Sequence, residues 1–283
     1  MTQAAFSGSG LKSILVYVDN TDQAAGCVRA ALDIAQVHDA HVAGLGVQTP
    51  IYIPAFAAAQ VPADVYEALA QRQQADLDSA KGRFDEAVQD AGWSDRASWQ
   101  AIQGEPAQVI SRQGLFNDLI VIRQEDPEKD PASYEGLPDE VVLHAGRPVL
   151  ILPYIGARDT VAKRVMVAWS GTRESARAIG DALPFMQAAD EIKVITVDPD
   201  GEDAVPGSEV ARYLSAHGIH AQLQTLHSDG LEVGDVILNQ AADDGMDLVV
   251  MGGYGHSRVR EVILGGVTHH LLGHMTVPVL MSH

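Results

Sequence analysis

An internal repeat constrains the fold of this chain more than any other feature of its sequence. Three runs recur in the same order, and the two later ones recur at nearly constant spacing. The matched runs are Ile14–Asp19 with Val165–Ser170, Asp118–Val121 with Asp247–Val250, and Pro148–Leu150 with Pro278–Leu280. Matches in a fixed order and spacing indicate two copies of one structural unit.

The repeat sets the predicted domain boundaries. We expect a first domain over residues 1–153 and a second over residues 163–283. The linker Pro153–Ala162 between them contains proline, glycine and charged residues. The first copy holds about 22 extra residues. We place these in Pro50–Ala91, where a Pro- and Ala-rich loop precedes a long helical pattern.

Each copy alternates short apolar runs with helical patterns, which predicts a parallel sheet covered on both faces. In the second copy, apolar residues at helical spacing predict helices over Thr172–Ala188 and Leu231–Asp244. Thr172 or Ser170 can cap the first of these. The predicted strands are Arg164–Trp169, Glu191–Val197, Ile219–Thr225, Asp247–Met251 and Val277–Met281. The expected fold is therefore two tandem, doubly wound, five-stranded α/β domains of Rossmann-like type, with ligands beyond the carboxyl ends of the strands.

Charge and composition exclude several classes of partner. The formal net charge of −19 argues against binding to nucleic acid or to an anionic membrane surface. The single cysteine, Cys27, rules out a disulfide within the chain and is expected to be a small buried residue. No apolar run approaches the length of a membrane span, and the N-terminus lacks the pattern of a signal peptide. These features predict a cytoplasmic protein.

One glycine-rich loop in the second copy carries the strongest chemical signal. It follows the strand that ends at Met251, and two residues separate Gly252 from Gly255 while nine separate Gly255 from Gly265. A helix is predicted from about Gly266 to Leu272. Glycines allow the backbone to approach a ligand, and a helix N-terminus offers free N–H groups and a positive dipole end. This combination indicates a cradle for phosphates, to which Thr268 adds a hydroxyl and His256, Ser257 and Arg258 could add donors.

The loop resembles the pattern G-x2-G-x9-G-[ST] of the universal stress protein family, and the run Pro278–Leu280 matches the family's last strand. This resemblance covers nearly the whole chain as two tandem domains. It implies an adenine-nucleotide α-hydrolase-like fold and a site for ATP, with Mg²⁺ on the phosphates. The nucleotide-binding residues that we expect are Ala168, Ser170, Val197, Met251, Gly252, Gly255, His256, Gly265, Gly266, Val267 and Thr268.

Each copy departs from the family pattern in a different place. In the second copy, Gly266 stands where the family usually has Ser or Thr, and Ser170 stands where nucleotide-binding members usually have Asp. The first copy keeps Asp19, which we expect to cap the following helix. Its loop has Arg123 at the Gly252 position, a run of carboxylates from Glu125 to Asp130 and Asp139 at the Thr268 position. These carboxylates are expected to form a solvated loop and to repel a triphosphate.

Several functional alternatives remain open at this stage. The first is an ATP-binding stress or regulatory protein with at most slow hydrolysis, because no Walker-type lysine or water-activating base is visible. The second is a nucleotide-free interaction module of the same fold, and the third is an enzyme of nucleotide transfer. The segment Ser170–Ser175 matches the S-G-G-x-D-S loop of ATP pyrophosphatases only weakly. His270 and His274 have the spacing of metal ligands, but a surface role is the simpler interpretation.

The resemblance also implies an assembly. Family members dimerise through their last strands, and here both last strands, Arg147–Leu152 and Val277–Met281, lie in one chain. We therefore expect an internal pseudo-dimer of the two domains. Pairing between whole chains stays open.

Overall fold

The computed structural model describes residues 10–50, 62–126, 128, 134–156, 162–199, 207–255 and 266–283. One ten-stranded sheet runs through this part of the chain, in the order β3-β2-β1-β4-β5-β10-β9-β6-β7-β8. Its strands are β1 Ser13–Tyr17, β2 His41–Gln48, β3 Ala97–Gln103, β4 Leu119–Arg123, β5 Val149–Leu152, β6 Arg164–Ala168, β7 Glu191–Val197, β8 Gln222–Leu226, β9 Leu248–Gly252 and β10 Val279–Ser282.

Eight α-helices connect these strands within the described residues. They are α1 Asp22–His38, α2 Ala63–Asp90, α3 Pro106–Gly114, α4 Leu137–His144, α5 Arg173–Ala188, α6 Gly207–Ala216, α7 Val233–Asp243 and α8 Gly266–His274. A short 3₁₀ helix, Ser94–Arg96, precedes β3. The predicted long helix near the extra residues of the first copy corresponds to α2. No described helix is both long enough and apolar enough to cross a membrane.

The two halves of the sheet repeat one topology. The N-terminal half-sheet, β1–β5, has the order β3-β2-β1-β4-β5, and the C-terminal half-sheet, β6–β10, has the matching order β8-β7-β6-β9-β10. All pairings within each half are parallel. The predicted α/β class with Rossmann-like parallel sheets is thereby confirmed, whereas the domain bounds 1–153 and 163–283 stay a prediction.

The halves meet at their last strands. Strand β10 runs antiparallel to β5, with Val279 opposite Ile151 and Met281 opposite Val149. These strands are fully buried, so apolar packing continues across the junction. Alternation along the strands explains why both faces are covered: Ile14 and Val16 of β1 enter one buried cluster, while Leu15 and Tyr17 enter the other.

Local signals account for several element boundaries. Thr172 begins α5 through a reciprocal capping box, in which its hydroxyl accepts from the Ser175 amide at 3.2 Å while the Ser175 hydroxyl accepts from the Thr172 amide at 3.1 Å. Thr172, not Ser170, is therefore the cap. Cys27 is buried in α1, as predicted. The expectation that Asp19 caps α1 is wrong, because Thr21 is the N-cap and Asp19 accepts from the Thr21 amide at 3.0 Å.

Candidate functional site

The predicted site residues of the C-terminal half gather at one edge of the sheet. Ala168 ends β6 opposite Met251 of β9, and Val197 ends the neighbouring strand β7. The strand order reverses at β6, because β7 lies on one side of this strand and β9 lies on the other. Such a reversal opens a crevice beyond the carboxyl ends of parallel strands. The residues between Gly255 and Gly266, which include His256 and Gly265, lie outside the described residues.

Gly252 and Gly255 pack against the first turn of α5. A Cβ atom on Gly252 would lie 2.6 Å from the carbonyl carbon of Glu174 and still closer to the Ser175 amide. On Gly255 it would lie 2.8 Å from Thr172 Oγ1 and 2.9 Å from Glu174 Oε2. Both glycines are therefore required by close packing between the loop and α5. The sequence predicted only the approach of the backbone to a ligand.

Gly266 lies at the far end of the loop and begins α8. Among the described residues outside its own helix turn, no heavy atom lies within 4 Å of the position that its Cβ would occupy. Val267 is half-buried, whereas Thr268 is buried and its hydroxyl accepts from the Tyr254 amide at 3.3 Å. The Thr268 hydroxyl, which we predicted as a ligand donor, thus also ties the start of α8 to the segment after β9.

A buried carboxylate that the sequence analysis missed lies beside this loop. Glu174 is 3% exposed, and its Oε2 atom has no hydrogen-bond partner among the described residues. Burial opposes ionisation, but the hydrogen bond from the Arg173 guanidinium to Oε1 leaves the pKa of Glu174 below its ordinary value. The sequence signal that could have revealed Glu174 is an acid in the first turn of α5, two residues after Thr172.

Ser170 is exposed just after the end of β6. Its hydroxyl lies 3.2 Å from Thr172 Oγ1, which links it to the cap of α5. The site edge therefore carries a hydroxyl at position 170 and a buried carboxylate at position 174. This donor and acceptor set can contact hydroxyl groups, phosphates or a cation.

Comparisons with known proteins show which proteins the C-terminal half resembles. Residues 162–283 match the model of the universal stress protein family. The universal stress protein Slr1230 of Synechocystis sp. is 24% identical over 172 residues, which cover 59% of this chain and 58% of that protein. The universal stress protein YxiE of Bacillus subtilis is 38% identical over 60 residues, which cover 21% of this chain and 40% of that protein. Residues 162–283 are thus similar to the universal stress protein family.

A solved universal stress protein supports the fold over the whole chain. The crystal structure of a universal stress protein from Archaeoglobus fulgidus matches with a TM-score of 0.73 and 16% identity, and covers 95% of each chain. A likeness at this identity concerns the fold alone. The curated relatives match over 58% and 40% of their own lengths, so their matched regions are partial.

In the N-terminal half of the chain, side chains fill the place that the glycine loop takes in the C-terminal half. The Arg123 guanidinium donates to Asp19 Oδ2 at 2.7 Å and lies over the Tyr134 ring at 3.9 Å. The Tyr134 hydroxyl donates to the Arg123 carbonyl at 3.2 Å. Burial raises the pKa of Tyr134 and, together with the nearby Asp19 charge, raises that of the Cys27 thiol to about 12. The strand ends of this half are thus occupied by a buried ion pair and an aromatic ring.

The acidic loop of that half differs from the sequence expectation. Asp126 is 4% exposed, and its carboxylate accepts from the Glu128 amide at 3.1 Å. Glu125 is partly buried and accepts from the Gly136 amide at 3.0 Å. The prediction of a freely solvated acidic loop is wrong for these two residues, because their carboxylates satisfy backbone donors of the loop itself. Asp139 is also buried, and it faces the C-terminal half.

The two histidines at metal-ligand spacing pack against each other. The rings of His270 and His274 stack with centroids 4.3 Å apart. His270 Nε2 lies 2.7 Å from Asp235 of α7, and His274 Nδ1 lies 2.8 Å from the His270 carbonyl oxygen. Within the described residues, no group of three or more His, Cys, Asp or Glu side chains could hold a metal ion.

Proposed function

We propose that the C-terminal half binds one adenine nucleotide, ATP with Mg²⁺, and that the N-terminal half binds none. The observation that supports this proposal is the junction of β9 with α8. Strand β9 ends at Gly252, the segment to Gly255 packs on α5, and α8 begins at the exposed residue Gly266. A helix N-terminus at a strand-order reversal suits an anionic ligand.

The residues near the loop also suit a magnesium ion. Mg²⁺ prefers oxygen ligands, commonly one or two carboxylates together with substrate phosphates. Glu174 Oε2 is a buried carboxylate oxygen that faces Gly255, and in the part of the chain that the structure describes it has no hydrogen-bond partner. In this proposal Glu174 shares the ion with the phosphates, and Mg²⁺ neutralises part of their charge. Ala168, Ser170, Val197 and Met251 line the adenosine side.

The biological role that we propose is regulatory. Bound nucleotide would shift a conformational or assembly equilibrium, which requires unequal affinity for the two states. The pairing of β5 with β10 gives the chain the arrangement that we interpret as an internal pseudo-dimer. Occupancy of the C-terminal half by nucleotide would then be the regulatory signal.

A second candidate function is an interaction module without nucleotide. The specific observation in its favour is that Thr268 and Tyr254 already bond to protein groups, so the loop is partly satisfied from within. The two candidates predict opposite results when the protein is challenged with ATP.

The wild-type chain is expected to bind MgATP and to melt at a higher temperature in its presence. A ligand at about 100 times its Kd stabilises a protein by about 2.7 kcal/mol. Thermal unfolding with and without MgATP, together with mass spectrometry of nucleotide released from denatured protein, measures this. GTP and inorganic triphosphate serve as ligand controls. Absence of any adenine nucleotide and an unchanged melting temperature would favour the interaction module.

A further inference from the structure

The N-terminal half supplies a buried acid to the glycine loop of the C-terminal half. Asp139 of α4 is 5% exposed. Its Oδ1 atom accepts a hydrogen bond from the Tyr254 hydroxyl and lies 3.2 Å from His269 Nδ1. Burial and the bond to Asp139 raise the pKa of the Tyr254 hydroxyl, so this group stays a neutral donor.

This one carboxylate contacts both ends of the loop. Tyr254 lies in the segment just after β9, and His269 lies in the first turn of α8. The Tyr254 amide also donates to Thr268 Oγ1 at 3.3 Å. Asp139 therefore bridges two described segments, the one that follows β9 and the first turn of α8.

The backbone of Tyr254 needs such support. Its φ of 56° lies in the left-handed region, which is unfavourable for a bulky side chain outside glycine. Strained residues of this kind persist only where their surroundings hold them. The hydroxyl bond to Asp139 and the amide bond to Thr268 hold this residue at both its ends.

Other residues of the N-terminal half reach the same region. Gln124 is 1% exposed, and its amide donates to the Leu272 carbonyl of α8 at 2.7 Å and accepts from the Tyr154 amide at 3.1 Å. Arg177 of α5 donates to the Gly146 carbonyl of the N-terminal half at 2.6 Å and to the His283 carbonyl at 2.9 Å.

The sequence repeat relates two of these contacting residues to positions of the glycine loop. At the offset of 129 positions, Gln124 corresponds to Gly253 and Asp139 corresponds to Thr268. Positions that form the glycine loop in the C-terminal half thus carry, in the N-terminal half, side chains that hold the loop and helix of the opposite half. In the N-terminal half, residues at these positions contact the opposite half instead of forming a glycine loop.

We infer that Asp139 is a positioning residue for the nucleotide loop, and that the affinity of the C-terminal site depends on this acid of the N-terminal half. Asp139 holds Tyr254 and the start of α8 in the arrangement that receives phosphates. The identity of the ligand rests on the proposed function, whereas the bracing of the loop does not.

Two variants test this inference, and the same helix provides a matched control. Asp139→Ala removes the acceptor, and Tyr254→Phe removes only the donor hydroxyl. Glu140→Ala removes the same charge from the neighbouring, exposed position of α4. Hydrogen bonds to charged groups are the stronger ones, so both test variants are expected to weaken MgATP binding by about 10- to 100-fold. Glu140→Ala is expected to bind MgATP as the wild type does.

Amide hydrogen exchange without nucleotide separates bracing from binding. Asp139→Ala and Tyr254→Phe are expected to speed exchange at residues 253–255 and 267–268 and to leave that of β7 unchanged, while Glu140→Ala changes neither. If the wild type binds no ATP, the proposed function fails and faster exchange confined to the loop still supports bracing. Wild-type exchange and affinity in both variants, or equal acceleration across the whole C-terminal half, would overturn the inference.

Discussion

The Gly266→Asp variant is expected to lose MgATP binding by about 100-fold or more while its melting temperature without ligand stays at that of the wild type. Gly266 is exposed, and no heavy atom of the described residues outside its own helix turn lies within 4 Å of its Cβ position, so a Cβ there displaces none of them. A carboxylate in the first turn of α8 also interacts favourably with the helix dipole. The same charge repels a phosphate about 4 Å away by about 1 to 4 kcal/mol, depending on solvent exposure.

Two further substitutions at this position are the controls. Gly266→Asn has the size of the aspartate without its charge and is expected to weaken binding far less. Gly266→Ser restores the hydroxyl that the family pattern has here, and one added hydrogen bond predicts a gain of about 2- to 10-fold. Gly255→Asp is a poorer test, because its Cβ would lie within 3 Å of Thr172 Oγ1 and Glu174 Oε2. Titration of each variant with MgATP compares their affinities. Binding by Gly266→Asp at wild-type affinity would contradict the placement of the phosphates at this loop.

The Asp19→Asn variant is expected to lose about 1.5 to 3 kcal/mol of unfolding free energy, because it removes the carboxylate charge to which the buried Arg123 guanidinium donates. The side chains of this pair are 13% and 4% exposed, and they join β1 to the end of β4. Asp22→Asn is the matched control. Its pair with Arg83 involves a side chain of Asp22 that is 94% exposed, so about 0 to 1 kcal/mol is expected.

Urea unfolding of these variants provides the measurement, and a double variant sharpens it. Asp19→Leu with Arg123→Met replaces both charges by apolar groups and is expected to recover most of the lost stability. The double variant is not expected to gain an ATP site, since Tyr134 still occupies the region and the acidic loop is unchanged. Equal losses in Asp19→Asn and Asp22→Asn would contradict the assignment of Asp19 and Arg123 as a buried pair.

Local patterns in the sequence were sufficient to predict much of the fold. Strand β7 was predicted with the bounds that the structure shows, Glu191–Val197, and Thr172 was predicted as a cap of α5. These features depend on alternation, helical spacing and a hydroxyl before a helix, all of which lie within a few residues. Strand β8 was predicted as Ile219–Thr225 but covers Gln222–Leu226, because its polar edge-strand residues alternate weakly.

The parts that sequence analysis missed depend on distant contacts. Asp139 bonds to Tyr254 across 115 positions, and Arg123 pairs with Asp19 across 104. The sequence analysis interpreted Asp139 as a charge that repels phosphates and Asp19 as the cap of α1. Only the antiparallel joining of β5 to β10 brings α4 against the loop of the opposite half. The position of Glu174 Oε2 beside the loop likewise depends on the packing of Gly255 on α5, which no local sequence pattern encodes.

The number of ATP molecules bound per chain tests the central claim most directly. Calorimetric titration of the wild-type protein with ATP in the presence of Mg²⁺ is expected to give one site per chain, and the Gly266→Asp variant is expected to show none under the same conditions. Two sites per chain would show that the N-terminal half also binds nucleotide despite Arg123 and Tyr134. No binding to the wild type, or one site that persists in Gly266→Asp, would contradict the assignment of the nucleotide to the loop of the C-terminal half.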